Sequence, residues 1–254
     1  MNLNKIYNED SHEFMKRVKE PFADLILTSP PYNTARNFMR QDNRDRHEGR
    51  YDVYIEDKSD EEYIEWTVKT FNLFDSVLKS NGSVLYNMSY SSENTHLIWL
   101  TIAEVIKRTP FTTADLIVWK KKSALPNNMS PNKLTRITEC IFVFCRKSEF
   151  KTFITNKKVV SYRSTGQPNF ENVFNFIEAR NNDGPTKLNK ATFSSELCDK
   201  LLDIYAPQSS TVFDPFIGTG TTAVAAKRRG LRYVGCEISR QQVEYATDRL
   251  ARCV

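Results

Sequence analysis

Cysteine is scarce in this chain and poorly placed for pairing. Cys140, Cys145, Cys198, Cys236 and Cys253 are scattered and odd in number. No CxxC pair and no Cys/His cluster occurs, so neither a disulfide framework nor a zinc site is expected. A reducing cytoplasm is the natural compartment for such a pattern. No apolar run approaches the length of a bilayer span, and the amino terminus lacks a signal peptide's apolar core, so no membrane partner is expected. Internal repeats and low-complexity tracts are also lacking. What is present is 254 residues, 40% of them hydrophobic. That is enough for one large α/β domain with a small insertion. The formal charge of +5 and pI of about 8.8 suit a polyanion partner without requiring one.

Against that background Thr28-Ser29-Pro30-Pro31-Tyr32-Asn33 stands out. The apolar run Ala23 to Leu27 before it has the length and composition of a buried strand. Two prolines then end the sheet ladder, because neither has an N–H to donate. A hydroxyl, a stiff diproline and an aromatic ring are thus presented at a strand's carboxyl end, where open α/β sheets place their ligand crevices. Pro-Pro-Tyr alone reads equally well as a proline turn with Tyr32 lying over the core.

Around this motif the chain alternates short strands and helices. Asn4 to Tyr7 reads as a strand, and Ser11 as the cap of a helix to about Lys19. Thr34 to Asp57 is polar and without period; it carries Arg36, Arg40 and Arg44, and reads as a solvated loop or as a basic loop able to close over a nucleic-acid backbone. Ser59 to Glu62 has capping-box spacing and opens a helix that Asn81-Gly82 is expected to end. Strands follow at Ser83–Met88, Asp115–Trp119 and Glu139–Cys145, with a helix at Glu93–Lys107. Lys121 opens a turn-rich stretch. From Glu149 to Gly184, basic residues including Lys157, Lys158 and Arg163 are interleaved with aromatics. That texture suits phosphate contact and base stacking, and equally a minor core of its own. A helix at Thr192–Tyr205 and a strand at Thr211–Phe213 come next.

The second motif is Asp214-Pro215-Phe216-Ile217-Gly218-Thr219-Gly220-Thr221-Thr222, between a strand and an alanine-rich helix. Glycines at such a turn let the backbone approach a ligand, and the helix N-terminus can receive an anion. A phosphate-binding P-loop is disfavoured because no Gly-Lys-Ser/Thr follows, and the spacing is not GxGxxG. Tyr233 to Glu237 is the next strand, ending in an acid.

Taken together, the two motifs resemble those of the amino-methyltransferases, which methylate exocyclic amines of nucleobases. Ser29-Pro30-Pro31-Tyr32 is similar to that family's catalytic motif, and its serine form is most typical of N4-cytosine DNA enzymes. The nonapeptide is similar to the family's S-adenosyl-L-methionine loop. Catalytic motif first and cofactor motif last is the order of the β class. The resemblance implies a Rossmann-like fold with a mostly parallel seven-stranded sheet, one strand antiparallel, and a circularly permuted motif order. It divides the chain into a catalytic and cofactor-binding domain (1–148 and 185–254) and a recognition insert (149–184). It assigns catalysis to Ser29, Pro30, Pro31 and Tyr32. Cofactor binding falls to Asp214, Pro215, Phe216, Gly218, Thr219, Gly220, Thr221 and Thr222, with Glu237 on the ribose and Asp10 on the adenine. The basic segments read above supply the candidate DNA contacts, Arg36, Arg40, Arg44, Lys121, Lys157, Lys158 and Arg163; no metal is implied. The implied partner is double-stranded DNA, with room for a cognate restriction endonuclease and for a homodimer. Two departures from the family pattern are Glu9 before Asp10, where Gly is common, and Asn189-Lys190-Ala191-Thr192 in place of His-Pro-Ala-Pro.

The chemistry implied needs neither metal nor covalent enzyme intermediate. Two acceptors, Ser29 Oγ and the Pro30 carbonyl, would hold the amine's hydrogens out of the ring plane while Tyr32 stacks on the flipped base. Positioning and electrostatics then carry the rate. Carbon-5 cytosine methylation is disfavoured, since no cysteine follows a proline. An N6-adenine enzyme of the same fold and a non-catalytic DNA-binding module are the alternatives. If the two basic segments meet phosphates, DNA affinity measured from 50 to 200 mM salt should fall steeply by counter-ion release; a flat profile removes that role from both.

Overall fold

The computed structural model describes residues 1–33, 58–90, 94–123, 129, 131–184, 188 and 192–253. Its centre is a sheet of eight strands among the described residues, in the order β1-β10-β9-β2-β3-β5-β4-β8. The strands are β1 (Lys5–Tyr7), β2 (Ala23–Thr28), β3 (Leu78–Met88), β4 (Phe111–Lys121), β5 (Thr138–Arg146), β8 (Phe176–Ala179), β9 (Thr211–Asp214) and β10 (Arg232–Cys236). Every pairing is parallel except those of β5 with β3 and β4, so β5 alone runs against the rest. The seven-stranded expectation is one short. Phe176–Ala179, inside the stretch read as an insert, pairs with Val118–Lys121 at the sheet's edge. The remaining strands, β6 (Val159–Tyr162) and β7 (Pro168–Phe170), form a separate exposed antiparallel pair.

Helices cover both faces. The cluster around Phe14, Phe71, Phe74, Val105 and Phe144 joins one face to α1 (Ser11–Arg17), α2 (Asp60–Val77) and α3 (Leu97–Arg108). The cluster around Leu197, Leu201, Ala225, Ala246 and Leu250 joins the other to α4 (Ser195–Tyr205), α5 (Thr221–Arg228) and α6 (Arg240–Arg252). Successive strand residues take opposite sides: Leu25 and Leu27 enter the second cluster and Ile26 the first, as do Ile141 and Val143 against Phe142 and Phe144. Burial on both faces is why these strands read as continuous apolar runs instead of alternating ones.

Element ends correct several expectations. Asp10, not Ser11, caps α1, accepting from the N–H groups of His12 and Glu13. The Ser59–Glu62 capping box is present in full. Helix α2 ends at Val77, before Asn81-Gly82; Asn81, at φ 55°, instead sits in an irregularity of β3. The helix read from Glu93 begins at Leu97, and the one read from Thr192 begins at Ser195, capped by Ser194.

The sheet order has one consequence for the site. Chain crossovers leave β9 toward β10 on one side and β2 toward β3 on the other. The carboxyl ends of β9 and β2 therefore flank the topological switch point, the usual ligand crevice of a doubly wound sheet. Phe71 anchors the layer beneath: it is fully buried against the rings of Phe74, Tyr86, Phe111 and Phe144. Phe71→Ala should cost about 3–5 kcal/mol in urea unfolding, as large-to-small core changes do. A loss under about 1 kcal/mol would mean the cluster collapses around the gap.

Candidate active site

The two motifs, at opposite ends of the chain, meet at the switch point. β2 pairs with β9 through Leu25–Val212 and Ile26–Phe213. One residue before Ser29, the Thr28 hydroxyl donates to Asp214 Oδ1 at 2.7 Å. The Thr222 hydroxyl donates to Asp214 Oδ2 at 2.7 Å, and the Phe216 N–H to Oδ1 at 3.0 Å. Asp214 is thus a buried brace, turned toward the strand that carries the catalytic motif. Burial outweighs its three donors and raises its carboxyl to about 6.

The glycine loop that follows is built by close packing. Gly220, at φ 83°, lies against Ala246 of α6 so tightly that an added Cβ would come within 2.7 Å of the alanine's. Glu237, at the end of β10, takes the Gly218 N–H on one carboxylate oxygen (3.0 Å) and the Ser239 N–H on the other (2.8 Å). A carboxylate has about four acceptor positions, so this arrangement fits a ribose diol. Thr219 and Thr221 are buried and receive Arg249, whose guanidinium also pairs with Asp183. Pro215 is buried and Phe216 half-buried, its ring 5.4 Å from that of Trp66. Asp10 is exposed beyond the end of β1, the strand beside β10, with its side chain capping α1.

At the catalytic motif, Tyr63 donates to the carbonyl of Pro31 at 2.9 Å, fixing the diproline from α2. Asn33 makes hydrogen bonds with both the N–H and the carbonyl of Lys58, so the chain leaves and returns at one point beside Tyr32. The Tyr32 hydroxyl lies 2.8 Å from Ser29 Oγ and donates to Glu139 Oε2 at 3.1 Å. Asn87 Nδ2 donates to Glu139 Oε2 at 2.8 Å and also to the Tyr32 oxygen. Lys121 forms an ion pair with the other oxygen of Glu139, whose side chain is only 10% exposed. A small hollow opens beside this cluster, lined by Tyr32, Asn33, Met88, Ser89, Tyr90, Asn94, Leu97 and Ile98.

Lys121, read as a DNA contact, is therefore half-buried and drawn inward. Lys158 and Arg163 are exposed on and beside the β6–β7 pair, Arg163 held to Asn169 at 2.9 Å, and Lys157 is half-buried. Arg36, Arg40 and Arg44 lie outside the described residues. Sequence reading missed Asn87, Glu139 and Tyr63. Asn87 had a signal: it is the one amide in the otherwise hydrophobic and aromatic run Val84–Met88, and a buried polar side chain is the informative exception.

A family model for N6 and N4 methyltransferases, described as DNA methylase, matches residues 23–248. The chain belongs to this family of DNA methylases. It is 26% identical over 263 residues to the type II methyltransferase M.BglII of Bacillus subtilis, covering 96% of this chain and 68% of that protein. Among solved structures, the PvuII DNA methyltransferase (cytosine-N4-specific) superposes with a TM-score of 0.72 at 18% identity, covering 96% of this chain and 85% of that one. The M1.HpyAVI–SAM complex gives a TM-score of 0.63 at 20% identity, covering 97% and 98%. The methyl donor of this DNA methylase family is S-adenosyl-L-methionine, and the glycine loop with Glu237 is the set of groups that fits it.

Asp214 makes the brace pH-dependent. A carboxyl raised from 3.8 to about 6 on folding binds its proton better in the folded state. Its contribution is therefore fully present below pH 4 and is lost as pH rises through 6. At 1.36 kcal/mol per unit, that is roughly 3 kcal/mol. The unfolding free energy of wild type minus that of Asp214→Asn should fall by about this amount between pH 4 and 7; a constant difference would mean the carboxyl titrates normally.

Proposed function

We propose that this DNA methylase is site-specific and transfers the methyl group of S-adenosyl-L-methionine to the N4 amine of cytosine in an extrahelical base. The observation that carries the reading is Ser29 at the head of the diproline motif, on the strand next to the one that bears the glycine loop. In this reading Ser29 Oγ and the Pro30 carbonyl accept the amine's hydrogens. Tyr63 occupies the neighbouring Pro31 carbonyl, which supports leaving that of Pro30 to the substrate. Glu237 takes the ribose hydroxyls, Asp10 faces the adenine, and the loop 214–222 closes on the cofactor. The base stacks on the ring of Tyr32, at a gain of roughly 1–3 kcal/mol against a flipping cost of a few.

The target sequence is read by the recognition insert, 149–184, whose exposed part is the β6–β7 pair. Lys157, Lys158 and Arg163 there contact phosphates, as do Arg36, Arg40 and Arg44, and Lys121 sits at the rim of the base site. Double-stranded DNA is the substrate, in the cytoplasm; a paired endonuclease and a homodimer both suit this reading. The N6-adenine reading keeps one supporting observation. Glu139 brings a carboxylate into hydrogen-bond contact with Tyr32, which in turn contacts Ser29, and the adenine-type motif would carry Asp in place of that serine.

The test is incubation with labelled S-adenosyl-L-methionine and DNA from cells lacking the protein, followed by digestion to nucleosides. Label is expected in N4-methylcytosine; label confined to N6-methyladenine selects the adenine reading. Ser29→Ala should lower transfer by about 100-fold or more, within the usual range for a positioned catalytic group, while DNA binding persists. Unchanged transfer in that variant would remove Ser29 from the chemistry.

A further inference from the structure

We infer that Glu139 is a further catalytic residue of this site: the carboxylate that holds the substrate amine opposite Ser29 and takes up its proton after transfer. This rests on the amine-methylation reading above. The Tyr32 hydroxyl marks a point that Ser29 Oγ reaches at 2.8 Å and Glu139 Oε2 at 3.1 Å. A hydroxyl has one hydrogen to give at that point. An exocyclic amine has two, one for each oxygen; Glu139 Oε2 then takes the hydrogen that the reading above gives to the Pro30 carbonyl. Asn87 aims its Nδ2 at Glu139, and Lys121 pairs with the far oxygen. The carboxylate is thereby paired and oriented in a nearly closed place, which no Asp of the catalytic motif could provide here because the motif begins with Ser29.

The step balances without another reactant. Tyr32 moves its hydroxyl out, and the amine takes the point with its N–H bonds toward Ser29 Oγ and Glu139 Oε2. The amine nitrogen's lone pair attacks the sulfonium methyl carbon. The N–C bond forms as the C–S bond breaks, and the sulfur keeps that electron pair and becomes a neutral thioether. The positive charge now lies on the methylated nitrogen. One of its protons passes to Glu139 Oε2, leaving a neutral methylamino base and a carboxylic acid that returns its proton to water after release.

The experiment is single-turnover transfer of labelled methyl groups to DNA, with dissociation constants for DNA and cofactor measured in parallel. Glu139→Gln keeps the shape and the hydrogen bond but not the charge. Its transfer rate should fall at least 100-fold, the lower end for general-base groups, with both dissociation constants within threefold of wild type. Glu139→Ala should lose as much and recover at least tenfold when formate is supplied, which tests the role separately if the Gln variant folds poorly. A Gln variant within threefold of the wild-type rate, a loss matched by weaker binding, or an Ala variant that formate leaves unchanged would each overturn the role of Glu139. Wild-type transfer into either N4-methylcytosine or N6-methyladenine keeps the inference standing, since both amines carry two hydrogens. Wild type that labels no DNA base would overturn the site reading together with it.

Discussion

One hydrogen bond, from Thr28 to Asp214, carries the arrangement on which the site depends. It spans 186 residues of sequence and joins the last residue of β2 to the last of β9. Parallel strands cannot be joined by a tight turn, so neighbours in this sheet come from distant parts of the chain. The pairing of β2 with β9 is what brings two remote motifs to the same end of adjacent strands. Asp214 then fixes the depth of each: its other oxygen is held by Thr222, at the start of the helix behind the glycine loop. A shift of either strand end would break a bond to a buried carboxyl, and such groups are costly to leave unsatisfied.

The same economy governs the two sides of the crevice. On the cofactor side, small residues do the positioning. Gly220 lets α5 approach α6 at Ala246, and Gly235 meets Ile217 at a distance no Cβ would permit. On the catalytic side, aromatic and polar side chains do it. Tyr63 pins Pro31, Trp66 lies beside Phe216, and His12 stacks on Trp66 while bonding Thr70. Burial lowers the proton affinity of His12. Helix α2 therefore touches both motifs, one through Tyr63 and the other through Trp66.

How much of this was legible in the sequence follows from the range of each interaction. The strand 23–28 and the helices at 60–77 and 221–228 announced themselves through apolar runs, a capping box and glycines, all of which act over a few residues. Motif order then implied the sheet. Ser11 was read as the cap of α1 in place of Asp10 because Asp and Ser in succession both satisfy cap chemistry, and only geometry chooses between them. Phe176–Ala179 was hidden in a basic, aromatic stretch because an edge strand needs only one partner and has no two-sided apolar run to reveal it. Glu139 looked like the polar start of a strand. Its role in the cluster with Ser29, Tyr32, Asn87 and Lys121 needs the antiparallel pairing of β5 with β3 and β4, which sets Asn87 against Ile141 and Lys120 against Thr138.

That pairing also explains why a carboxylate can stay in so enclosed a place. An unpaired buried charge would be expelled or neutralised, because its desolvation is not repaid. Glu139 has Lys121 on one oxygen and Asn87 with Tyr32 on the other, so the burial cost is met before any substrate arrives. A methyl transfer from a sulfonium creates no net charge; it moves a positive charge from sulfur to nitrogen. The wall nearest the nitrogen is then the place where a fixed negative charge lowers the barrier, and the wall nearest the sulfur is where it would raise it. In the proposed reading Glu139, bonded to Tyr32, stands on the nitrogen side, while Glu237 on the cofactor side has its two oxygens turned to the main chain of Gly218 and Ser239. On that proposal, the asymmetry of the two acids gives the methyl group its direction of travel.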